Sequence, residues 1–325
     1  MLITTGTNIL FNRSFIRCCF TTTAPGKKVF APDWKMLATG YLPAHFCGMN
    51  FPQFWARGTS GNFFCWRWSI QSLAEAQSLA NQAAQQLADR FRAGDFPPKH
   101  GGYYPDRPFR EQVMQEIKNG AGQTAAVVTR NSYGCLVLNT ARVMFVDIDL
   151  PEPKPAGLFK RLFGKPDRTP AANDQSAAMA KIEAWTRDHP EWGWRIYRTR
   201  AGLRLLATQA LVDADSDVAD GVFEALGADP LYRKLCHTQK CFRARLTPKP
   251  WRCGIRSKPQ RWPWLDAKEE KRHQKWAAQY QSFAFNWATC ELISQIGNAT
   301  IHPEVQPVVK LHDDTTRVES KLPLA

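Results

Sequence analysis

"VMFVDIDLPEP", residues 143–153, is the stretch on which the reading of the chain turns. Val143–Val146 is apolar and has the composition of a buried strand, yet Asp147 and Asp149 follow two positions apart. On a strand, residues i and i+2 project from one face, about 6–7 Å apart. Two carboxylates at that spacing can share a divalent cation, and Mg²⁺ favours one or two carboxylates completed by phosphate oxygens and water. Asp147 and Asp149 are therefore the candidate metal and catalytic residues, with Mg²⁺ or Mn²⁺ as the expected cofactor. The competing reading is a strand running out into solvent, with Asp149 opening the turn into Pro151.

Downstream of this strand the order of elements is legible. From Pro151 to about Asn173 the composition shifts to Pro, Lys, Arg and Gly, which predicts an exposed loop insertion over 151–173. "DQSAAMAKIEAWTRDHP" (174–190) reads as a helix. "WRIYRTR" (194–200) and "LRLLATQAL" (203–211) read as strands joined at Ala201–Gly202. "DSDVADGVFEALG" and "PLYRKLCH" are short helices, and "CFRARLTPKP" (241–250) is a strand that ends at prolines. The order β-α-β-β-α-β is that of a ferredoxin-like or RRM-like core within an α+β protein, spanning 126–255. Such a core serves many functions, so fold alone assigns none.

Upstream, residues 1–50 show no sustained periodicity and read as an N-terminal extension. "FWARGTSGNFFCWRWS" (54–69) predicts two short strands about Gly58–Gly61. Ser72 and Glu75 form a capping box for a helix to about Arg92, carrying Leu73, Ala76, Leu79, Ala80, Ala83, Ala84 and Leu87 at helical spacing. A Gly/Pro-rich loop follows, then an expected helix from Pro108 bearing Arg110, Glu111 and Glu116. That makes 51–125 a ββα-plus-helix unit. "TAAVVTRNSYGCLVLNTARVMFVDIDL" supplies three strand-like runs, with a hairpin turn at Asn131–Gly134. Residues 256–325 read as a helical segment and a polar tail.

The 325 residues carry a net charge of +14, unevenly spread. Between Pro230 and Leu265 there is no Asp or Glu, against ten Lys or Arg. Such a surface favours phosphate-rich partners, DNA or RNA, through counterion release and steering. Nine cysteines, an odd number without a tight framework, suit a reducing cytoplasm. Cys236, His237, Cys241 and Cys253 match no zinc spacing and read as buried thiols. No run reaches the roughly 18 apolar residues of a membrane span, so no membrane partner is expected.

Two basic clusters bear on binding. Arg198, Arg200 and Arg204 surround the predicted hairpin turn, with Thr199 expected opposite Arg204; arginines beside an acidic strand suit triphosphate or backbone phosphate. The bland alternative is a charged edge hairpin. In "CFRARLTPKPWRCGIRSKPQRWPW" (241–264), Arg243, Arg245, Lys249, Arg252, Arg256 and Arg261 alternate with Phe242, Trp251, Trp262 and Trp264. Cations interleaved with aromatics suit a single strand, whose bases stack while its phosphates pair. Alternatively the tryptophans anchor a strap to the core.

Residues 140–252 resemble the catalytic half of archaeo-eukaryotic-type primases, a group that includes plasmid and phage primase-polymerases with an RRM-like core. The resemblance rests on "VDID", "TRAGLR" and "RARLTPK". It implies metal carboxylates at Asp147 and Asp149, a nucleoside triphosphate on the hairpin, and phosphate contacts from Arg245 and Lys249. The chain departs from the family where a nucleotide-contacting histidine is replaced by Arg204. No third carboxylate stands on a late strand, Asp229 preceding a helix instead. Three functions follow as expectations: a metal-dependent nucleotidyltransferase, a non-catalytic DNA- or RNA-binding protein, and a metal-dependent nuclease.

Overall fold

The computed structural model describes residues 49, 51–95, 108–151 and 169–325. The extension 1–50, apart from Met49, and the loop over 152–168 lie outside the described residues. The chain divides into two compact units, one comprising 1–43 and 52–105, the other 44–51 and 106–325.

The described part of the first unit is the predicted ββα. Strands β1 (Phe54–Ser60) and β2 (Phe63–Ser69) pair antiparallel across Gly61–Asn62, and α1 (Leu73–Arg92) packs on one face. The Ser72 side chain accepts from the Glu75 N–H at 3.1 Å, as the capping box predicts. The Glu75 carboxylate does not return to Ser72 directly. It accepts from the Ser69 hydroxyl, whose oxygen in turn accepts the Ser72 N–H. Small residues let the helix close on the sheet: a Cβ at Gly58 would lie 2.1 Å from the Ala80 backbone. The other face gathers Trp55, Trp68 and Phe64, with the Arg57 guanidinium 4.1 Å from the Phe64 ring centre.

The second unit holds two four-stranded sheets in which every ladder is antiparallel. The first runs β3 (Gln112–Lys118), β4 (Thr124–Arg130), β5 (Leu136–Thr140), β9 (Phe242–Arg245). The second runs β10 (Cys290–Gly297), β7 (Gly193–Thr199), β8 (Gly202–Ala207), β6 (Phe145–Asp149). The described helices are α2 (Thr169–Asp188), α3 (Asp217–Leu226), α4 (Pro230–Gln239), α5 (Ala267–Ala284) and α6 (Gln306–Thr316), with a 3₁₀ turn at Pro250–Cys253. Phe145, Trp194, Ile196, Leu203, Leu205, Phe223 and Phe242 are fully buried in one continuous core. On one face of the second sheet, Trp185 of α2 packs against Trp194. On the other, His312 of α6 packs against Phe145 and Tyr197.

The chain is thus α+β with antiparallel sheets. Strands β6, β8 and β7 lie side by side as a βαββαβ order requires. The strand that would complete a ferredoxin-like sheet beside β6, however, bonds to β5, and β10 takes the edge next to β7. Four expectations are corrected. The helix from Pro108 is the edge strand β3, which pairs with β4. The C-terminal segment is not wholly helical, since it contributes β10. The hairpin turn is Arg200–Ala201, so Tyr197 rather than Thr199 stands opposite Arg204. The predicted loop also ends early, because α2 has begun by Thr169.

Candidate functional site

Asp147 and Asp149 emerge together on one face at the end of β6, but they meet different surroundings. Asp147 is the direct cross-strand partner of Arg204 on β8. The guanidinium grips its carboxylate with two bonds, Nε to Oδ1 at 2.7 Å and Nη2 to Oδ2 at 3.0 Å. Arg204 is 3% exposed, and its Nη1 donates to the Arg245 carbonyl at 2.9 Å and toward Cys290 Sγ at 3.8 Å. Burial by itself would lower the Arg204 pKa. The Asp147 carboxylate, together with Cys290 and Tyr232, outweighs that and holds it above the ordinary arginine value. This corrects the expectation for Arg204: its donors are spent on the protein, so it is not a triphosphate ligand.

Asp149 lies further out and reaches solvent, although neighbouring atoms still crowd its carboxylate. Partial burial, then the charges of Asp229 and Asp147, raise its carboxyl above the usual range, while Lys249 and Arg252 pull the other way. Asp229 thereby joins the site. Its Oδ1 caps α4 by accepting the Leu231 N–H at 3.0 Å, and its own N–H donates to the Asp147 carbonyl at 2.9 Å. The sequence signalled only the cap, an Asp before Pro at a helix start; proximity to Asp149 came from the docking of that helix end on β6.

The hairpin arginines do not gather. Arg198 projects from the opposite face to Arg204 and pairs with Glu291 of β10. Thr199 organises the turn, its hydroxyl oxygen accepting the Gly202 N–H at 3.1 Å, and Arg200 stands exposed at the tip. Two residues of the basic segment are withdrawn from any ligand. Phe242 is 0% exposed and packs edge-on to Phe223. Arg243 is buried, makes two bonds to Glu111 at 2.8 and 2.9 Å, and lies over the Phe109 ring. Both expectations of nucleic-acid contact are corrected, since Phe242 is enclosed in the core and the Arg243 side chain, 9% exposed, is taken up by Glu111.

The remainder forms a strap along the surface. Lys249 is half-buried and its Nζ lies 5.6 Å from the Trp251 ring centre. Burial, then Arg245 and Arg252, lower its pKa, and Asp149 partly restores it. Trp251 is exposed and meets Tyr133 edge-to-face at 5.2 Å. Arg252 and Trp262 are half-buried, whereas Arg256 and Arg261 are exposed. Helix α5 holds the strap in place. Trp276 Nε1 donates to the Ser257 carbonyl at 3.1 Å, and the Tyr280 hydroxyl donates to Thr247 Oγ1 at 2.9 Å. His273 donates from Nδ1 to the Gln260 carbonyl and accepts from Arg130 at Nε2. Anchoring is thus shared between the aromatic side chains of α5 and Trp264, whose ring lies 5.1 Å from that of His273, while Trp251 is left outward.

Behind Arg204 lies a polar cluster that the sequence did not disclose. Tyr197 and Arg195 both donate to Asp313, and fully buried His312 sits between Asp313 and Cys290. Among the described residues, no group of three or more His, Cys, Asp and Glu side chains is arranged to hold a metal. Cys236, Cys241 and Cys253 are buried free thiols. No described helix is long and apolar enough to cross a membrane. Compared with known proteins, the chain matches no family model, no curated protein and no solved structure.

Proposed function

We propose that the protein binds nucleic acid through the strap over 245–261, beside the carboxylate end of β6, on a core of RRM-like, primase-polymerase-like order. The observation that carries this reading is the crowding of cations at Lys249. A half-buried ammonium, 5.6 Å from the Trp251 ring centre, is held among Arg245 and Arg252; burial and these charges push its pKa down, Asp149 offsets this only in part, and the sequence supplies no acid between Pro230 and Leu265. Like charges gathered at such a cost form a locus that phosphate relieves. The side-by-side order β7-β8-β6 supports the RRM-like comparison, whereas β9, paired with β5 in the other sheet, departs from it.

Titration of a dye-labelled oligonucleotide over a range of salt tests this. Binding should weaken linearly in log–log form. Lys249→Ala should lower both the affinity and the slope, the latter by about 0.7 on a single strand. Absence of binding at low salt overturns the reading.

A second reading, metal-dependent nucleotidyl transfer, is favoured by the approach of Asp229 to Asp149 and Asp147. The donor set fits a cation held chiefly by Asp149 with phosphate and water, because both Asp147 oxygens already accept from Arg204. Mg²⁺ or Mn²⁺ there would supply charge neutralisation for a phosphoryl group. Arg200 and Lys249, rather than Arg198 or Arg204, would face a nucleoside triphosphate. Metal-dependent incorporation of a labelled nucleotide, lost in Asp149→Ala, would establish transfer; metal-dependent cleavage of the oligonucleotide would establish a nuclease instead.

A further inference from the structure

We infer that Tyr133 and Trp251 form a stacking platform for an unpaired base, making the preferred partner a single strand rather than a duplex; this deepens the nucleic-acid reading above and rests on it. The two rings come from distant parts of the chain, the β4–β5 turn and the 3₁₀ turn after β9. They meet at 5.2 Å with an interplanar angle of 79°. They remain 46% and 49% exposed, two large adjoining aromatic surfaces left in water.

Both rings are held on stiff supports. In the β4–β5 turn, Asn131 Oδ1 accepts the N–H groups of Tyr133 and Cys135 at 3.0 and 3.1 Å, and the Gly134 N–H donates to the Asn131 carbonyl. Gly134 has φ +86° and abuts the Trp276 indole, where a Cβ would lie 2.3 Å from the ring. On the other side, the Arg252 N–H donates to the Lys249 carbonyl at 2.8 Å and the Ile255 N–H to the Pro250 carbonyl at 2.9 Å. Aromatic groups fixed in advance lose little freedom when a ligand stacks on them.

The charge around the platform selects the occupant. The Lys249 ammonium lies 5.6 Å from the Trp251 ring centre, in reach of the phosphate that flanks a stacked base, and Arg256 is exposed further along the strap. An apolar protein partner would draw no benefit from positive charge that Asp149 offsets only in part, whereas a polyanion with exposed π-faces uses both features. In a duplex the base faces are already stacked on one another, so only an unpaired base presents a free face.

The experiment compares the full-length protein with Trp251→Ala and Tyr133→Ala. Binding is measured by fluorescence anisotropy to a labelled oligothymidylate and to a duplex of equal length. Trp251→Phe keeps an aromatic face, and Trp251→Leu keeps apolar bulk without one. Thermal unfolding confirms that each variant is folded. The expected result is single-strand binding tighter than duplex binding, weakened roughly five- to a hundredfold by Trp251→Ala and Trp251→Leu. Tyr133→Ala should weaken it to a lesser degree, Trp251→Phe should largely retain it, and duplex binding should change little. If wild type binds single strand and duplex alike and the variants change neither, the platform is overturned while the nucleic-acid reading stands. Equal losses on both ligands also overturn it, pointing to a general phosphate contact. If wild type binds neither, both inferences fail.

Discussion

At the scale of the residue, the pairing of Arg204 with Asp147 decides what β6 can do. A buried guanidinium that lost its carboxylate, or a carboxylate left beside an empty slot, would be strongly destabilised, whereas replacing both by apolar groups is often tolerated. Arg204→Met alone should therefore destabilise by about 2–3 kcal/mol, moderated because Asp147 keeps some solvent contact. The double variant Asp147→Leu/Arg204→Met should recover most of that loss, as read by urea unfolding. Asp149 behaves in the opposite sense. Its folded-state pKa is raised, so the folded protein holds that proton more tightly than the unfolded chain. Stability then falls as pH rises from the ordinary carboxylate pKa through the raised one. Asp149→Asn should have a higher Tm than wild type near about pH 7, and the gap should close toward about pH 3 as the wild-type carboxyl becomes neutral. Loss of nucleotide incorporation in the same variant would mark a carboxylate kept for function at the expense of stability.

At the scale of the element, the strap depends on the β4–β5 turn as much as on α5. Gly134→Ala places a methyl group against Trp276 at a positive φ, and should cost about 1–3 kcal/mol by chemical denaturation. It should also weaken single-strand binding by displacing Tyr133. Much of the local structure was legible. The Ser72 cap, the Asn131–Gly134 turn and the helices at Ser216 and Asp229 each carry their own chemistry, independent of distant partners. The misread elements lacked that local signal. "QVMQEIK" has few β-branched residues and becomes a strand by pairing with β4. In β10, Leu292, Ile293 and Ile296 fall at helix-like spacing because a bulge between Leu292 and Ser294 breaks the two-residue alternation. Placing the hairpin turn one residue late slid the cross-strand partners by two, which kept Thr199 and Arg204 on one face but named the wrong neighbour.

At the scale of the whole molecule, the candidate site was half legible. The two aspartates and the basic strap were visible in the sequence. Which arginines are available was not, because Glu111, Glu291 and Arg204's own partners reach across 41 to 132 residues of chain. Partner identity of that kind is written in tertiary contact alone. The same contact has a dynamic consequence. Arg204 leaves β8 to bond the side chain of β6 and the backbone carbonyl of β9, which belongs to the other sheet. One guanidinium therefore ties two hydrogen-bonded networks into a single opening unit. Amide protons of β8 and β9 should exchange with deuterium at a shared, global rate in wild type. In Arg204→Met they should separate into two populations, with the β5–β9 edge exchanging first.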